Sequence, residues 1–423
     1  MITTNLSPEK IQISTHKIDP SFVPKNIRKV IVTLKKNGHE AYLVGGCIRD
    51  QLLQVKPKDF DIATSASPEK IKKLIPRSRI IGRRFKLVHV RSGRNFIEVA
   101  TFRSEKPNKS QTKEGMILDD NHYGNAYEDA FRRDFTMNSL FYDIDTQEII
   151  DFTGGYKDIR NKKIRVLGNI DNRFKEDPVR MLRAVRFSSK LNLKLEKSIE
   201  KKISNLGFLI LNVPPARRLD EINKLFLFGN SYKNYLYLED LNIFKYLFPS
   251  LKTNIKSNND YFKNFIEISL KGTDKRVQEN KTVILPFLIA TLLWPGLVKS
   301  FGEINTYQVK YTELRLHAIY LLEEQSNFCF IPKNMKDAIF QIWALQIKLM
   351  KTNSQSAHRL IEQKKFRAGF DFLINRELAG LNLDDIGHWW ESFQFSSFKK
   401  RKKMIERSKK FGTKIHTNNK FLH

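Results

Sequence analysis

Asp59-Phe60-Asp61 sets two carboxylates two positions apart, fourteen and sixteen residues past the first glycine of a Gly45-Gly46 pair. Side chains alternate along a strand, so a strand at this point would hold both charges on one face. At ~4 Å and an effective dielectric near 20, such charges repel by about 4 kcal/mol. A divalent cation removes that repulsion, and oxygen-only donors suit Mg²⁺ bridged to a phosphate. Paired glycines let backbone N–H groups close on the phosphate. Gly-Gly alone more often marks a turn, and its value here comes from the carboxylates downstream. Together the two segments point to cation-assisted chemistry on a nucleotide.

The flanking periodicities describe the scaffold these residues need. Ile27, Val30, Ile31 and Leu34 recur at i, i+3, i+4 and i+7, the stripe of a helix that Gly38 ends. A strand over 41–44 runs into the glycines, a brief helix follows through 53, and 59–63 reads as the second strand. Ser67 caps a helix through 74, with Glu69 in its first turn. Further strands are expected over 86–90 and 96–102, and a pair over 141–144 and 148–152. The polar stretch 104–121 is too long for an ordinary connection and reads as a mobile functional loop. From Arg173 onward the periodicity is helical. The expected class is α+β. A polar extension over 1–24 leads to a mixed-sheet head over 25–168, a helical neck over 169–230 and an all-helical body over 231–398. A basic tail over 399–423, extended or marginally helical, completes the chain.

The 423 residues, 41% of them hydrophobic, suffice for a sizeable core in two or more units. The formal net charge is +30, with Lys and Arg spread along the whole length. That field attracts polyanions, RNA or DNA first. Anionic membrane is the weaker reading, because the basic clusters have no apolar anchor; a lysine-rich source explains part of the excess. Cys47 and Cys329 lie far apart without metal-ligand spacing, which argues against a disulfide framework or a zinc site. No basic region precedes an apolar core at the N-terminus. The apolar stretch 283–298 contains Pro286 and Pro295 and is shorter than the ~20 residues of a membrane span. The chain is expected to be cytoplasmic, soluble and monomeric.

Strand, Gly-Gly, helix, then Asp-x-Asp on the next strand resembles the nucleotidyltransferase superfamily that includes DNA polymerase beta. Leu43-Val44-Gly45-Gly46-Cys47-Ile48-Arg49-Asp50 and Lys58-Asp59-Phe60-Asp61 narrow the resemblance to the bacterial tRNA CCA-adding enzymes and poly(A) polymerases. Arg132-Arg133-Asp134-Phe135-Thr136-Met137-Asn138 is similar to the group's ribose-contacting motif, and Glu176-Asp177-Pro178-Val179-Arg180 with Arg183 and Arg186-Phe187 to its base-reading helix. The segment from Pro215-Ala216-Arg217 to Glu221 is similar to the next helix. Within the group, the arginine-rich stretch 80–90, Pro214-Pro215-Ala216-Arg217 and Lys365-Phe366-Arg367-Ala368 resemble the poly(A) polymerases. Cys47 and Arg218 depart from the usual pattern, where a small and an apolar residue are more common.

The resemblance implies a nucleotidyltransferase head, an RNA-binding body and the following roles. Asp59, Asp61 and Glu98 would hold two Mg²⁺ ions, with Mn²⁺ an alternative. Glu98 shares a strand face with Phe96 and Ala100, and its other reading is an edge-strand surface charge. Gly45 and Gly46 would admit the triphosphate and Arg49 would contact it. Arg133 and Asp134 would sit at a helix start with Asp134 on the ribose 2′-hydroxyl, or serve only the helix dipole. Asp177 and Arg180, three apart on one helix face, complement the amine and N1 of adenine, and Arg183 and Arg186 continue that face towards phosphate. A solvated, ion-paired face is the alternative for this arginine run. Arg217 would orient the nucleotide by analogy alone. His89, between Val88 and Val90, is expected to be a packed, hydrogen-bonded residue without a catalytic role. Trp389 and Trp390 read first as core and second as base-stacking residues, with the lysines beyond them on RNA phosphates.

The expected activity is template-independent addition of AMP from ATP to RNA 3′ ends, and the family resemblance adds RNA-degradation machinery as a partner. CCA addition to tRNA is the nearest rival. A catalytically spent RNA-binding protein and nucleotidyl transfer to a small molecule are weaker ones.

Overall fold

A computed structural model describes residues 7–82, 86–93, 95–104, 122–251, 260–301 and 309–411. The chain divides into two units, Met1–Asn212 and Val213–His423.

Alternating apolar residues build the first unit around one eight-stranded mixed sheet. Its strands are β1 (Glu9–Ile11), β2 (Ala41–Val44), β3 (Asp61–Thr64), β4 (Ser78–Ile81), β5 (Leu87–Ser92), β6 (Asn95–Thr101), β7 (Phe141–Tyr142) and β8 (Ile149–Asp151). Their spatial order is β1-β8-β7-β2-β3-β6-β5-β4. β3 and β6 run parallel and every other neighbouring pair is antiparallel. The mixed sheet expected of the head is therefore present. Two strands were not anticipated. β1 lies in the supposed polar extension, where Ile11 is its one buried residue and the backbone pairing with β8 supplies the rest. β4 ends inside the arginine-rich stretch, whose Arg83, Arg84 and Phe85 lie outside the described residues, as does the expected loop beyond Ser104 up to His122.

Helices cover this sheet where the 3.6-residue period predicts them. Lys25–Lys36 buries Ile27, Val30, Ile31 and Leu34, the four predicted positions. Ser67 caps Pro68–Leu74 by accepting from Lys70 N. A capping box between Asn125 and Glu128 starts Ala126–Phe131, satisfying donors that a helix end leaves unpaired. Helices Ile170–Glu176, Val179–Leu191 and Lys197–Leu206 complete the first unit.

The described elements of the second unit are helical. Its most apolar helix, Leu285–Phe301, buries Leu288, Ile289, Leu292, Leu293, Trp294 and Leu297 almost completely and carries Pro295 in its interior. Among the described residues no helix is long and apolar enough to cross a membrane. Trp390 belongs to the core, donating from its indole Nε1 to Leu349 O at 2.6 Å, and Trp389 packs against it and Phe393. Residues expected to be extended or marginally helical form the helix Phe398–Phe411. The cause is an apolar anchor within the basic run: Ile405 is buried and Met404 packs beside it, in one cluster with Trp390 and Phe393. Arg401 donates to Phe393 O and Gln394 O, closing the end of the preceding helix.

Candidate active site

Register across the sheet brings the acidic residues together. Asp61 opens β3 and stands opposite Glu98 of the parallel β6. Directly paired residues share a sheet face, so the two carboxylates face the same side. Asp59 corrects one expectation: it precedes the strand, in exposed irregular chain, so strand alternation does not place it. Its charge nevertheless reaches Asp61. Burial, with the charges of Glu98 and Asp59 added, pushes the Asp61 carboxyl up to about 6, and Arg133 works in the opposite direction. A bound cation would relieve the part of this shift that Glu98 and Asp59 cause. Among the described residues no three acidic, His or Cys side chains already converge as a metal site. The donors are hard oxygens of the right kind for a divalent cation, but the set is not closed around one point.

The same register extends the row beyond what spacing alone indicated. Glu98 pairs with His89 of β5, and His89 with Arg79 of β4. His89 Nε2 lies 3.5 Å from Glu98 Oε1, and its imidazole stacks on Phe96 at 5.3 Å. His89 is packed, as expected, but on the face of Glu98: Val88 and Val90 are buried on the opposite face while His89 is only partly covered. Alternation in β5 was the signal that finds it, the rule that placed Glu98 with Phe96.

Beside the row, β2 runs into Gly45, at φ +75° and ψ −125°, which caps the helix Gly46–Leu52. Few residues but glycine hold that backbone geometry. A Cβ at Gly45 would sit 3.3 Å from Arg133 Nη1, and one at Gly46 3.3 Å from Arg49 Nη2, so a guanidinium flanks each glycine. Arg49 is buried, donating to Asp50 Oδ1 at 2.6 and 2.9 Å and to Asn138 Oδ1 at 2.6 Å. Those bonds fix the turn more than they offer a charge to a ligand. Arg133 is held by Asp129 Oδ2 at 2.8 and 3.1 Å and by the carbonyl of Asn138 at 3.2 Å.

Asp134 does not begin a helix; it precedes the short 3₁₀ turn Thr136–Asn138. Its Oδ1 accepts from Phe135 N and Asn138 Nδ2, both at 2.9 Å, and its Oδ2 from Arg183 Nε at 2.8 Å and Nη2 at 2.6 Å. Burial would raise this carboxyl, but the Arg183 charge, the Asn138 and Arg183 hydrogen bonds and the Arg180 charge outweigh it and hold it at about 2. Asp177 corrects a further expectation. It lies between helices, in extended backbone at φ −148°, and shares no helix face with Arg180. The pair is joined instead by Arg180 N donating to the Asp177 carbonyl at 3.1 Å, a turn that Pro178 sets. Arg180 also donates to Glu176 Oε2 at 3.0 Å and to Arg173 O at 2.8 Å. Arg49, Arg183 and Arg186 all lie over the Phe187 ring, at 5.0, 5.4 and 4.6 Å. Arg132, named above only within a motif, sits among four other arginines. Burial, then the charges of Arg103, Arg173, Arg133 and Arg180, bring it down to about 9. Pairwise spacing could not show this crowding, because the arginines come from separate segments. Arg217 falls in the second unit, half-buried on the helix Pro215–Phe226.

Comparison with known proteins places this geometry. Residues 41–165 match the family model "Poly A polymerase head domain", 192–255 "Probable RNA and SrmB- binding site of polymerase A", and 311–420 "Polymerase A arginine-rich C-terminus". Poly(A) polymerase I of Haemophilus influenzae is 39% identical over 422 residues, spanning 96% of this chain and 92% of that one. A CCA-adding enzyme of Bacillus cytotoxicus is 38% identical over 201 residues only, 48% of this chain and 50% of that one. The fold is also that of the Thermotoga maritima CCA-adding enzyme solved with tRNA, with a TM-score of 0.62 at 19% identity over 92% of this chain and 86% of that one. Sequence similarity that runs through head and helical body alike separates the two groups: the chain belongs to the bacterial poly(A) polymerase I family of nucleotidyltransferases.

Proposed function

We propose that this protein adds AMP residues from ATP to RNA 3′ ends without a template, releasing pyrophosphate. The observation that carries the reading is the register of Asp61 with Glu98, beside a glycine turn flanked by arginines. Full-length similarity to poly(A) polymerases, against half-length similarity to CCA-adding enzymes, supports AMP over CCA addition.

In the reaction the RNA 3′-oxygen bonds to the α-phosphorus of ATP, the bond from that phosphorus to the bridging oxygen breaks, and the hydroxyl proton leaves to solvent. Asp59, Asp61 and Glu98 would hold divalent cations, Mg²⁺ foremost. Cations held there would lower the pKa of the attacking hydroxyl and offset charge on the leaving pyrophosphate. The residues do the rest by position. The Gly45-Gly46 turn would present its backbone to the triphosphate, and Arg133, packed against Gly45, would add its charge there. Asp134 fixes the Arg183 guanidinium, and a ribose 2′-hydroxyl reaches that carboxylate by replacing one of its four donors. Asp177 accepts from the adenine amine while Arg180 donates to N1. Contacts to RNA are directed at phosphates and carry little sequence information.

Single-nucleotide extension tests the reading. With Mg²⁺ and an unstructured RNA unrelated to tRNA, ATP alone yields a long A tract. Addition from CTP that stops after two residues, on tRNA lacking its end, overturns the proposal in favour of CCA addition.

A further inference from the structure

The helical second unit contains a cavity of about 460 Å³, within the range of small-ligand sites, that no role above uses. It lies between the helices Asp260–Gln278 and Phe366–Leu378, closed on a third side by Val283, Ile284 and Phe287. Four cationic side chains line it, Arg276, Lys364, Lys365 and Arg367, against one carboxylate, Asp371. Asp371 engages Arg367 Nε at 2.9 Å and Arg276 Nη1 at 3.6 Å. Among the described residues, Lys364 and Lys365 have no acidic partner, so the cavity keeps a positive excess. Its apolar wall includes Phe287, braced edge-on by Phe372 at 6.1 Å.

Gly272, an exposed lining residue, shapes the cavity's mouth. It sits inside a nineteen-residue helix, where glycine costs stability relative to alanine. A Cβ there would meet nothing within 4 Å, so packing inside the chain does not require glycine. Gly369, in the facing helix, contrasts with it: a Cβ there would run into Leu345. The missing side chain at Gly272 keeps open a wall of the cavity.

We propose that this cavity holds one nucleotide of the RNA substrate, its phosphate on Lys364, Lys365 and Arg276, and its base against Phe287 with an amino group turned to Asp371. The inference rests on the RNA-extension reading and adds to it a second RNA contact, outside the 192–255 segment whose family description names RNA. In Lys365-Phe366-Arg367-Ala368, the segment that resembles the poly(A) polymerases, Phe366 is core and the flanking cations line the cavity.

The test measures binding of a fluorescent single-stranded RNA to the full-length protein. Gly272→Trp, which fills the cavity on a helix that gains by losing glycine, raises the RNA Kd about tenfold, within the range a stacked base supplies. Lys364→Ala with Lys365→Ala flattens the plot of log K against log salt by up to about 0.7, the change for one phosphate contact on a single strand. This second variant keeps the proposal testable should the tryptophan disturb folding. Photo-crosslinked RNA maps to peptides covering 269–287 or 364–375 and resists excess ATP. Loss of that crosslink to ATP would assign the cavity to a free nucleotide and overturn the proposal. Unchanged RNA affinity in Gly272→Trp and an unchanged salt slope in the lysine variant would also overturn it. If the parent protein extends RNA normally in either event, the cavity assignment fails while the activity stands.

Discussion

Asp61 and Asp134 are both aspartates in the same head, yet their surroundings drive them in opposite directions. Asp61 is raised to about 6 by burial and by Glu98 and Asp59, so its folded pKa exceeds its ordinary value of 3.8. A carboxyl raised in this way favours the folded state while protonated and burdens it as pH rises through 6. In EDTA, the parent should lose stability between about pH 4 and 6, by an amount on the order of 3 kcal/mol for a shift of about two units. Asp61→Asn removes this loss: in urea unfolding at pH 8 it is the more stable protein, and the difference vanishes near pH 4. Mg²⁺ should raise the parent's midpoint and leave the variant's in place. Equal midpoints at pH 8 without metal would contradict the electrostatic account. Asp134 has the opposite sign. Held at about 2, it stabilises the fold above its ordinary range, and that contribution disappears as pH falls from about 4 to about 2. Asp134→Asn breaks charged bonds to Arg183 and should cost about 1.5–3 kcal/mol at pH 7 by the same measurement, against a null effect if Arg183 simply turns to solvent.

At the level of elements, the legible parts were those governed by a single period. The helix Lys25–Lys36, strand β2, the Gly-Gly turn and the Ser67 cap could be read because each depends on residues close in sequence. Register could not be read in that way. The partnership of Asp61 with Glu98 and His89 comes from three strands separated by intervening chain, and β1 forms because β8 offers it a backbone edge. Asp177 escaped because Pro178 breaks a pattern that three-residue spacing alone would continue. The described part of the basic tail is helical because two apolar residues, Met404 and Ile405, outweigh many lysines once Trp390 gives them a surface. Gly45 tests the turn that joins the elements. Gly45→Ala combines a positive φ with a Cβ 3.3 Å from Arg133, whereas Gly38→Ala, at φ +79°, meets open space. The first should cost about 1–3 kcal/mol and sharply raise the KM for ATP, and the second should leave that KM unchanged. Equal ATP kinetics in the two would remove the turn from the nucleotide site.

For the whole molecule, charge and chemistry are separable. The net charge of +30 is spread over both units, so RNA affinity should fall steeply with salt while the KM for ATP changes little. A salt-insensitive RNA Kd, measured by anisotropy between low and high ionic strength, would argue against phosphate-directed contacts. The proposed chemistry, by contrast, is concentrated at a few acidic side chains in the first unit. The most direct measurement pairs the two: AMP transfer from ATP to an RNA 3′ end and RNA binding, determined side by side for the parent, Asp59→Ala and Asp61→Ala. The account predicts that transfer falls on the order of 10³-fold or more in each variant while the RNA Kd stays within about twofold. Near-normal transfer in either variant would contradict it.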